Sequence, residues 1–383
     1  MKETNPVIPL FDLNYGPEEE EAVLRVLRSK WLTMGEEIAA FEQEFAAFCG
    51  VKHALAVSSG TTALHLATVV TGVGQGCEVI CPSLTFAATA NAIIYTGATP
   101  VFADITSAED WTISPEEIAK MITPKTKAIM VMHYGGFACN MDAIMHLARS
   151  HNIAVIEDAA HAPGSTYQGN KLGAIGDISC FSFFSNKNIS TGEGGMICTN
   201  NDKYAERIKI IRSHGMSTGT VDRHRGHAFS YDITDLGYNY RLDEIHATLG
   251  RVQLRKLTDG NNSRRKAALR YKSGLKKISG IKLPFAESHS DANFHLFPVL
   301  LDDSLDRQNL MSYLRLRGIQ TSIHYPPVHN FSFHRKHYRT QNLKLTEQIA
   351  AHELTLPMYA GITDEQIDLI VKALTDFILE NYS

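Results

Sequence analysis

Ile153-Ala154-Val155-Ile156-Glu157-Asp158-Ala159-Ala160-His161 is an unbroken apolar run that ends in two carboxylates and, three residues on, a histidine. A run with no polar alternation predicts a strand buried on both faces, the kind found in parallel sheets with helices on either side. In open α/β sheets, ligands bind outside the carboxyl ends of the strands, where Asp158 would stand. Outward from this stretch, similar short runs recur at 54–57, 79–81, 100–103, 128–133, 178–184 and 196–198, mostly separated by helical stretches at 63–70, 87–94, 144–149 and 204–211. The alternation predicts a large α/β domain with a mostly parallel sheet between helices. Two helices precede it, one behind the acidic turn Glu18 to Glu21 and one through Ile38, Phe41, Phe45 and Phe48. A helical stretch from Leu242 to about Leu257 runs into Asp259-Gly260-Asn261-Asn262, which reads as a helix stop and restart. The domain boundary is placed there, giving a large domain over 1–258 and a smaller C-terminal α+β domain over 259–383. A charged helix at 264–278, a strand at 294–301 and helices near 310–317 and 367–379 are expected in the second.

The chain of 383 residues has room for two domains and a large core. With 37 Lys and Arg against 41 Asp and Glu, the net charge of −4 argues against nucleic-acid binding driven by bulk charge. No apolar run reaches the ~18–20 residues that cross a bilayer, and residues 1–10 lack the apolar core of a signal peptide. A cytoplasmic protein without membrane contact is expected. The six cysteines include no C-x-x-C pair and are read as buried free thiols.

Three constellations carry chemistry. In Val57-Ser58-Ser59-Gly60-Thr61-Thr62-Ala63-Leu64, a strand meets a Ser/Gly/Thr turn that opens a helix; backbone N–H groups and the helix dipole make an anion site there, or the turn is an ordinary helix cap. Asp158 could hold a cationic ring nitrogen, bind a metal or cap the next turn. Phe181-Ser182-Phe183-Phe184-Ser185-Asn186-Lys187-Asn188, followed by Gly192-Glu193-Gly194-Gly195, puts a lysine past an aromatic strand. Desolvation there would lower its pKa and free the amine as a nucleophile. The spacing Gly72-x-Gly-x-Gly76 matches neither nucleotide-binding glycine motif and is read as a turn.

An anion site, a carboxylate and an amine in this order are the needs of pyridoxal 5'-phosphate: phosphate, pyridinium nitrogen and aldehyde. The sequence resembles the DegT/DnrJ/EryC1/StrS sugar aminotransferases, which have the aspartate aminotransferase-like fold type I. The likeness runs through Gly35 to Phe41-Glu42, Ser58 to His65, Thr85 to Asn91, Glu157 to Ala162, Phe181 to Asn188, Gly192 to Gly195, Gly237-Tyr238-Asn239-Tyr240-Arg241-Leu242 and His324-Tyr325-Pro326-Pro327.

That resemblance implies a seven-stranded, mostly parallel sheet in the large domain. It implies a phosphate site at Ser59, Gly60, Thr61 and Ser182, ring stacking by Phe86, and a ring-nitrogen partner in Asp158. His161 would approach the ring's 3-oxygen, and Lys187 would form the Schiff base; relatives with His at that position are dehydratases. Asn239 would reach the cofactor of a neighbouring subunit, making a homodimer with shared sites. The implied reaction moves an amino group from an amino acid, usually L-glutamate, through pyridoxamine phosphate to a keto group of a nucleotide-linked deoxysugar. Rival readings are a keto-cyclitol acceptor and a catalytically idle cofactor-binding regulator. The basic residues Arg212, His214, Arg223, His224, Arg225 and His227 read as a solvated loop or as contacts to a sugar nucleotide's diphosphate. No metal is expected, since His224/His227 and His324/His329 have no acidic or cysteine companions at ligand spacing.

Overall fold

The structure, a computed structural model, describes residues 8–217, 231–286, 290–338 and 342–382. A seven-stranded sheet is built from β1 (His53–Val57), β2 (Glu78–Pro82), β3 (Thr99–Ala103), β4 (Thr126–Met132), β5 (Ala154–Asp158), β8 (Ile178–Ser182) and β9 (Gly195–Thr199). The short β6 (Thr166–Tyr167) and β7 (Asn170–Lys171) form a hairpin outside it. The strand order is β1-β9-β8-β5-β4-β2-β3, with only β9 antiparallel to its neighbours. All seven expected strands are therefore present, in the mostly parallel sheet the sequence implied.

Alternate residues of each strand pack on opposite faces of the sheet, and the two faces together make the first core. Ala54, Ala56, Ile129, Val131, Val155 and Phe181 face one layer of helices, with Phe41 and Phe45 at its centre. Leu55, Val57, Ala128, Met130, Ile156 and Cys180 face the other, built on the helices Gly60–Val70 and Asp202–Ile211. Burial on both faces is why these strands are apolar throughout. The helix Glu36–Cys49 of the first layer is fixed at its start by Glu244, whose carboxylate accepts the N–H groups of Gly35, Glu37 and Ile38 at 2.9–3.0 Å. Gly72 and Gly76, with φ of +80° and +83°, form the expected turn after the helix ending at Val70.

A second core gathers around β10 (Ile281–Lys282), β12 (Phe297–Leu301) and β13 (Glu353–Leu356), an antiparallel sheet in the order β10-β12-β13. The remaining β11 (Ser290–Asp291) pairs with β6. Helices Arg307–Leu316 and Asp364–Tyr382 pack on that core, near the positions expected, while the strand begins at Phe297 rather than at 294.

The expected helix stop at Asp259-Gly260-Asn261-Asn262 is not there: one helix runs unbroken over Glu244–Leu275. Gly260 and Asn261 are buried within it. The Asn261 amide donates to the Pro163 carbonyl, and its oxygen accepts from the Asn188 amide, both at 3.0 Å. With its polar atoms satisfied by other elements, Asn261 does not compete for its own backbone, and tertiary packing overrides weak helix propensity. Leu257 belongs to the first core, whereas Ala267, Ala268, Tyr271 and Leu275 belong to the second. A division of the chain at 258/259 would thus fall inside a helix shared by both cores.

Candidate active site

The carboxyl ends of β1, β5 and β8 open on one cavity of about 400 Å³. Its wall includes Ser59, Gly60, Thr61, Phe86, Asp158, His161, Ser182 and Lys187, eight of the nine residues singled out from the sequence.

After β1 the chain turns into the helix Gly60–Val70. Ser59 caps it, its hydroxyl accepting the Thr62 N–H at 3.1 Å, while Ala63 N–H bonds to the Ser59 carbonyl. Among the described residues the N–H groups of Gly60 and Thr61 have no partner, so they are open to an anion at the positive end of the helix. Ser182 closes in from the end of β8. A Cβ on Gly60 would stand 2.7 Å from that of Ser182, so only glycine allows the approach. The turn is therefore a helix cap and an anion cradle at once.

Asp158 ends β5 and is buried. Its Oδ2 accepts from the Thr89 hydroxyl at 2.8 Å and its Oδ1 from the Ala160 N–H at 3.2 Å. Burial pushes this carboxyl up, against the pull of Thr89, the Ala160 N–H and Lys187. A buried carboxyl in this state would be stabilised by a cation brought beside it. Glu157, one residue earlier on the opposite face, points away from the cavity. It is held low despite its burial by His133, at 2.9 Å, and by the N–H groups of Gly173 and Gly176. Of the two carboxylates that end the strand, only Asp158 faces the cavity.

Lys187 stands on a turn after β8, its N–H bonded to the Phe184 carbonyl. Burial pushes its amine down to about 8, opposed by Asp158. Its Nζ lies 3.5 Å from His295 Nε2. Phe86, 60% exposed, presents its ring on the cavity wall next to Tyr325, so it is no core residue. His161 is buried; its Nδ1 accepts the Gly135 N–H at 3.2 Å and its Nε2 lies 3.0 Å from the Tyr325 hydroxyl. Burial, then Lys187, drives this imidazole well below its ordinary pKa. A neutral ring accepting at Nδ1 carries its proton on Nε2 and so donates to Tyr325.

Asn239 is not on the cavity wall. Its neighbours Tyr238 and Tyr240 stack at 4.9 Å and pack around His65, and Asn239 between them is exposed. It does not cap the long helix, a role taken by Asp243, whose carboxylate accepts the His246 N–H. Of the basic cluster, Arg212 is buried against Glu42 and the Ala56 carbonyl, a structural placement; Arg223, His224, Arg225 and His227 lie outside the described residues. Thr89, Glu193, His295, His324 and Tyr325 were not assigned roles from the sequence. Thr85 and Thr89, four apart at the start of a helix and hydrogen-bonded at 2.7 Å, carried a readable signal. His295 and the pair His324-Tyr325 come from the part of the chain beyond the long helix, and only its packing against the sheet shows where they point.

The DegT/DnrJ/EryC1/StrS aminotransferase family matches residues 14–375. Over 365 residues the chain is 39% identical to the GDP-perosamine synthase of Caulobacter vibrioides, covering 94% of this chain and 95% of that one. It is 38% identical over 370 residues to the spore coat polysaccharide biosynthesis protein SpsC of Bacillus subtilis, covering 95% of each. DesV of S. venezuelae, solved in complex with a ketimine intermediate, superposes with a TM-score of 0.89 at 35% identity, over 98% of this chain and 99% of that one. A match along nearly the whole length, joined to a cavity that holds the amine, the carboxylate and the anion cradle, decides the matter: the chain belongs to the DegT/DnrJ/EryC1/StrS family of aminotransferases.

Proposed function

We propose that this aminotransferase uses pyridoxal 5'-phosphate to move an amino group from an amino acid, L-glutamate in the first instance, to a keto group of a nucleotide-linked deoxysugar. The observation that carries the reading is Lys187, an amine pushed down to about 8 in the same cavity as a buried carboxyl and an open helix N-terminus. The donor set fits the cofactor group by group. When bound, pyridoxal phosphate supplies an aldehyde that bonds to amines and a ring that takes up the electrons left at Cα.

The N–H groups of Gly60 and Thr61 and the hydroxyls of Ser59 and Ser182 would bind the phosphate. Phe86, on the cavity wall, would supply an aromatic ring for stacking. Asp158, oriented by Thr89 and Ala160, would hold a proton on the ring nitrogen. Lys187 Nζ would hold the aldehyde and, as a free amine, would take the proton from Cα as base and return it as acid. His161 would meet the ring's 3-oxygen beside Tyr325.

Asn239 is exposed and away from its own chain's cavity, which leaves it free to serve that of a second copy, and the working unit is proposed to be a homodimer with shared sites. The substrates of such a reaction are water-soluble, and the cytoplasm is the proposed location; no described helix is long and apolar enough to cross a membrane.

The test starts from the amine form of the enzyme, prepared with L-glutamate. It is offered UDP-, dTDP- and GDP-linked keto-deoxysugars and a keto-cyclitol in parallel. Return of the aldehyde-form absorbance with one of the nucleotide sugars is expected. Return with the keto-cyclitol alone would overturn the acceptor assignment, and return with none would overturn the reaction.

A further inference from the structure

Three side chains that the chemistry above leaves unused form a continuous line from the second core to the cavity. Glu353, at the start of β13, is fully buried, and its Oε1 is hydrogen-bonded to the Thr355 hydroxyl, two residues along the same face of the strand. That hydroxyl lies 2.9 Å from His324 Nδ1. Glu353 Oε2 accepts the His324 N–H at 2.8 Å, which tethers the histidine to the carboxyl at its backbone as well. The His324 ring lines the cavity that holds Lys187 and Asp158. Its Nε2 has no hydrogen-bond partner among the described residues.

A hydroxyl has one proton to give, so this line can be wired in only two ways. With Glu353 ionised, Thr355 donates to the carboxylate and accepts from His324 Nδ1–H, which leaves Nε2 bare. With Glu353 protonated on Oε1, the acid donates to Thr355, Thr355 donates to a bare Nδ1, and the ring's proton sits on Nε2. We propose that Glu353, acting through Thr355, sets which nitrogen of His324 carries the proton, and so decides whether the Nε2 edge in the cavity donates or accepts a hydrogen bond toward the acceptor sugar. Glu353 and Thr355 are then positioning residues. A keto oxygen can only accept, so the protonated state of Glu353 is the one that readies the cavity for a keto acceptor. This last step rests on the function proposed above.

The electrostatics agree with the geometry. Burial pushes Glu353 up to about 8, opposed by Thr355, the His324 N–H and Arg307. Burial, then Lys187, pushes His324 down to about 4, so the ring stays neutral while Glu353 titrates. The groups facing this line from other elements are few. Arg307 donates to the Glu353 and Ala350 carbonyls, and the Tyr134 phenol donates to the His324 carbonyl. Burial raises the phenols of Tyr134 and Tyr325, which stay protonated, and lowers His161 and His295, which stay neutral. Lys187, lowered to about 8 as a free amine, also changes charge in this range, and Asp158, raised by burial, faces the same cavity. Replacing Glu353 separates its titration from theirs.

The test is nitrogen-15 NMR of histidine-labelled holoenzyme between pH 6 and pH 10, with His324→Gln assigning the signal. Long-range proton–nitrogen correlations report which ring nitrogen is protonated. The expected result is a proton on Nε2 at pH 6 and on Nδ1 at pH 10, with the crossover near the pKa of Glu353. Glu353→Gln and Thr355→Val should each hold a single tautomer throughout, and Thr355→Ser should cross over like the parent. A single tautomer over the whole range in the parent, or a crossover that persists in Thr355→Val or Glu353→Gln, would overturn the proposal. The two blocking variants are independent, so misfolding of one leaves the other decisive. No substrate is present in this experiment, so its failure counts against the relay alone, while failure of the keto-sugar panel counts against the proposed function.

Discussion

At Lys187 the cavity wall lowers a lysine far enough for chemistry near neutral pH. Burial disfavours its charged form more than Asp158 restores it, leaving the amine near 8 where an exposed lysine titrates at about 10.4. Only the free amine attacks an aldehyde. The rate at which the apoenzyme captures pyridoxal phosphate should therefore rise with pH and level off above about 8; a rise that continues past pH 10 would show an ordinary lysine. Asp158 depends on its surroundings in the opposite sense, since burial raises it while the Thr89 hydroxyl, the Ala160 N–H and the nearby Lys187 pull it down. Asp158→Asn keeps the shape but loses the charge. Its glutamate half-reaction should slow by about 10²–10³-fold, the usual scale for one aligned electrostatic contact, with cofactor still bound. Stopped-flow absorbance measures this, and an unchanged rate would remove Asp158 from the chemistry.

Among the elements, the end of β8 and the start of the helix Gly60–Val70 form the anion cradle only because Gly60 has no side chain. A methyl there meets the Ser182 Cβ at 2.7 Å and must push the strand end away. Gly60→Ala should weaken cofactor binding by about tenfold or more, roughly the loss of one charge-assisted hydrogen bond, while Lys187 still bonds whatever cofactor is held. Equilibrium dialysis gives the constant, and parent-like affinity would show the cradle to be dispensable.

The same elements show what a sequence reveals. Strands such as 54–57 and 153–156 were legible because burial on both faces demands apolar residues at every position, a pattern visible without tertiary information. Helix breakers mislead where context decides: Gly260 and Asn261 read as a helix end, yet Asn261 finds its partners in Pro163 and Asn188, far away in the chain. His295, His324 and Tyr325 were illegible as site residues for the same reason. His324 and Tyr325 reach the cavity wall, and His295 the Lys187 amine, from the part of the chain beyond the long helix, and no local spacing encodes how that part packs on the sheet.

For the whole molecule, the open question is how many chains make a site. Asn239 stands exposed between two inward tyrosines, and its own cavity is built without it. If it serves a second copy, mixing Lys187→Ala with Asn239→Asp and letting subunits exchange should restore activity. Mixed dimers put both lesions in one site and leave the other intact, so about a quarter of the parent's activity is expected from random pairing. No recovery after verified exchange would place Asn239 outside any shared site.

The central claim is that this cavity transfers an amino group through Lys187, and a single turnover tests it most directly. Holoenzyme is mixed with nitrogen-15 L-glutamate in the absence of acceptor, and the 2-oxoglutarate formed is counted against active sites. One 2-oxoglutarate per site is predicted, with the labelled nitrogen retained on the enzyme-bound cofactor, and none from Lys187→Ala on the same timescale. Release of the label as ammonia, or an equal yield from Lys187→Ala, would contradict the account.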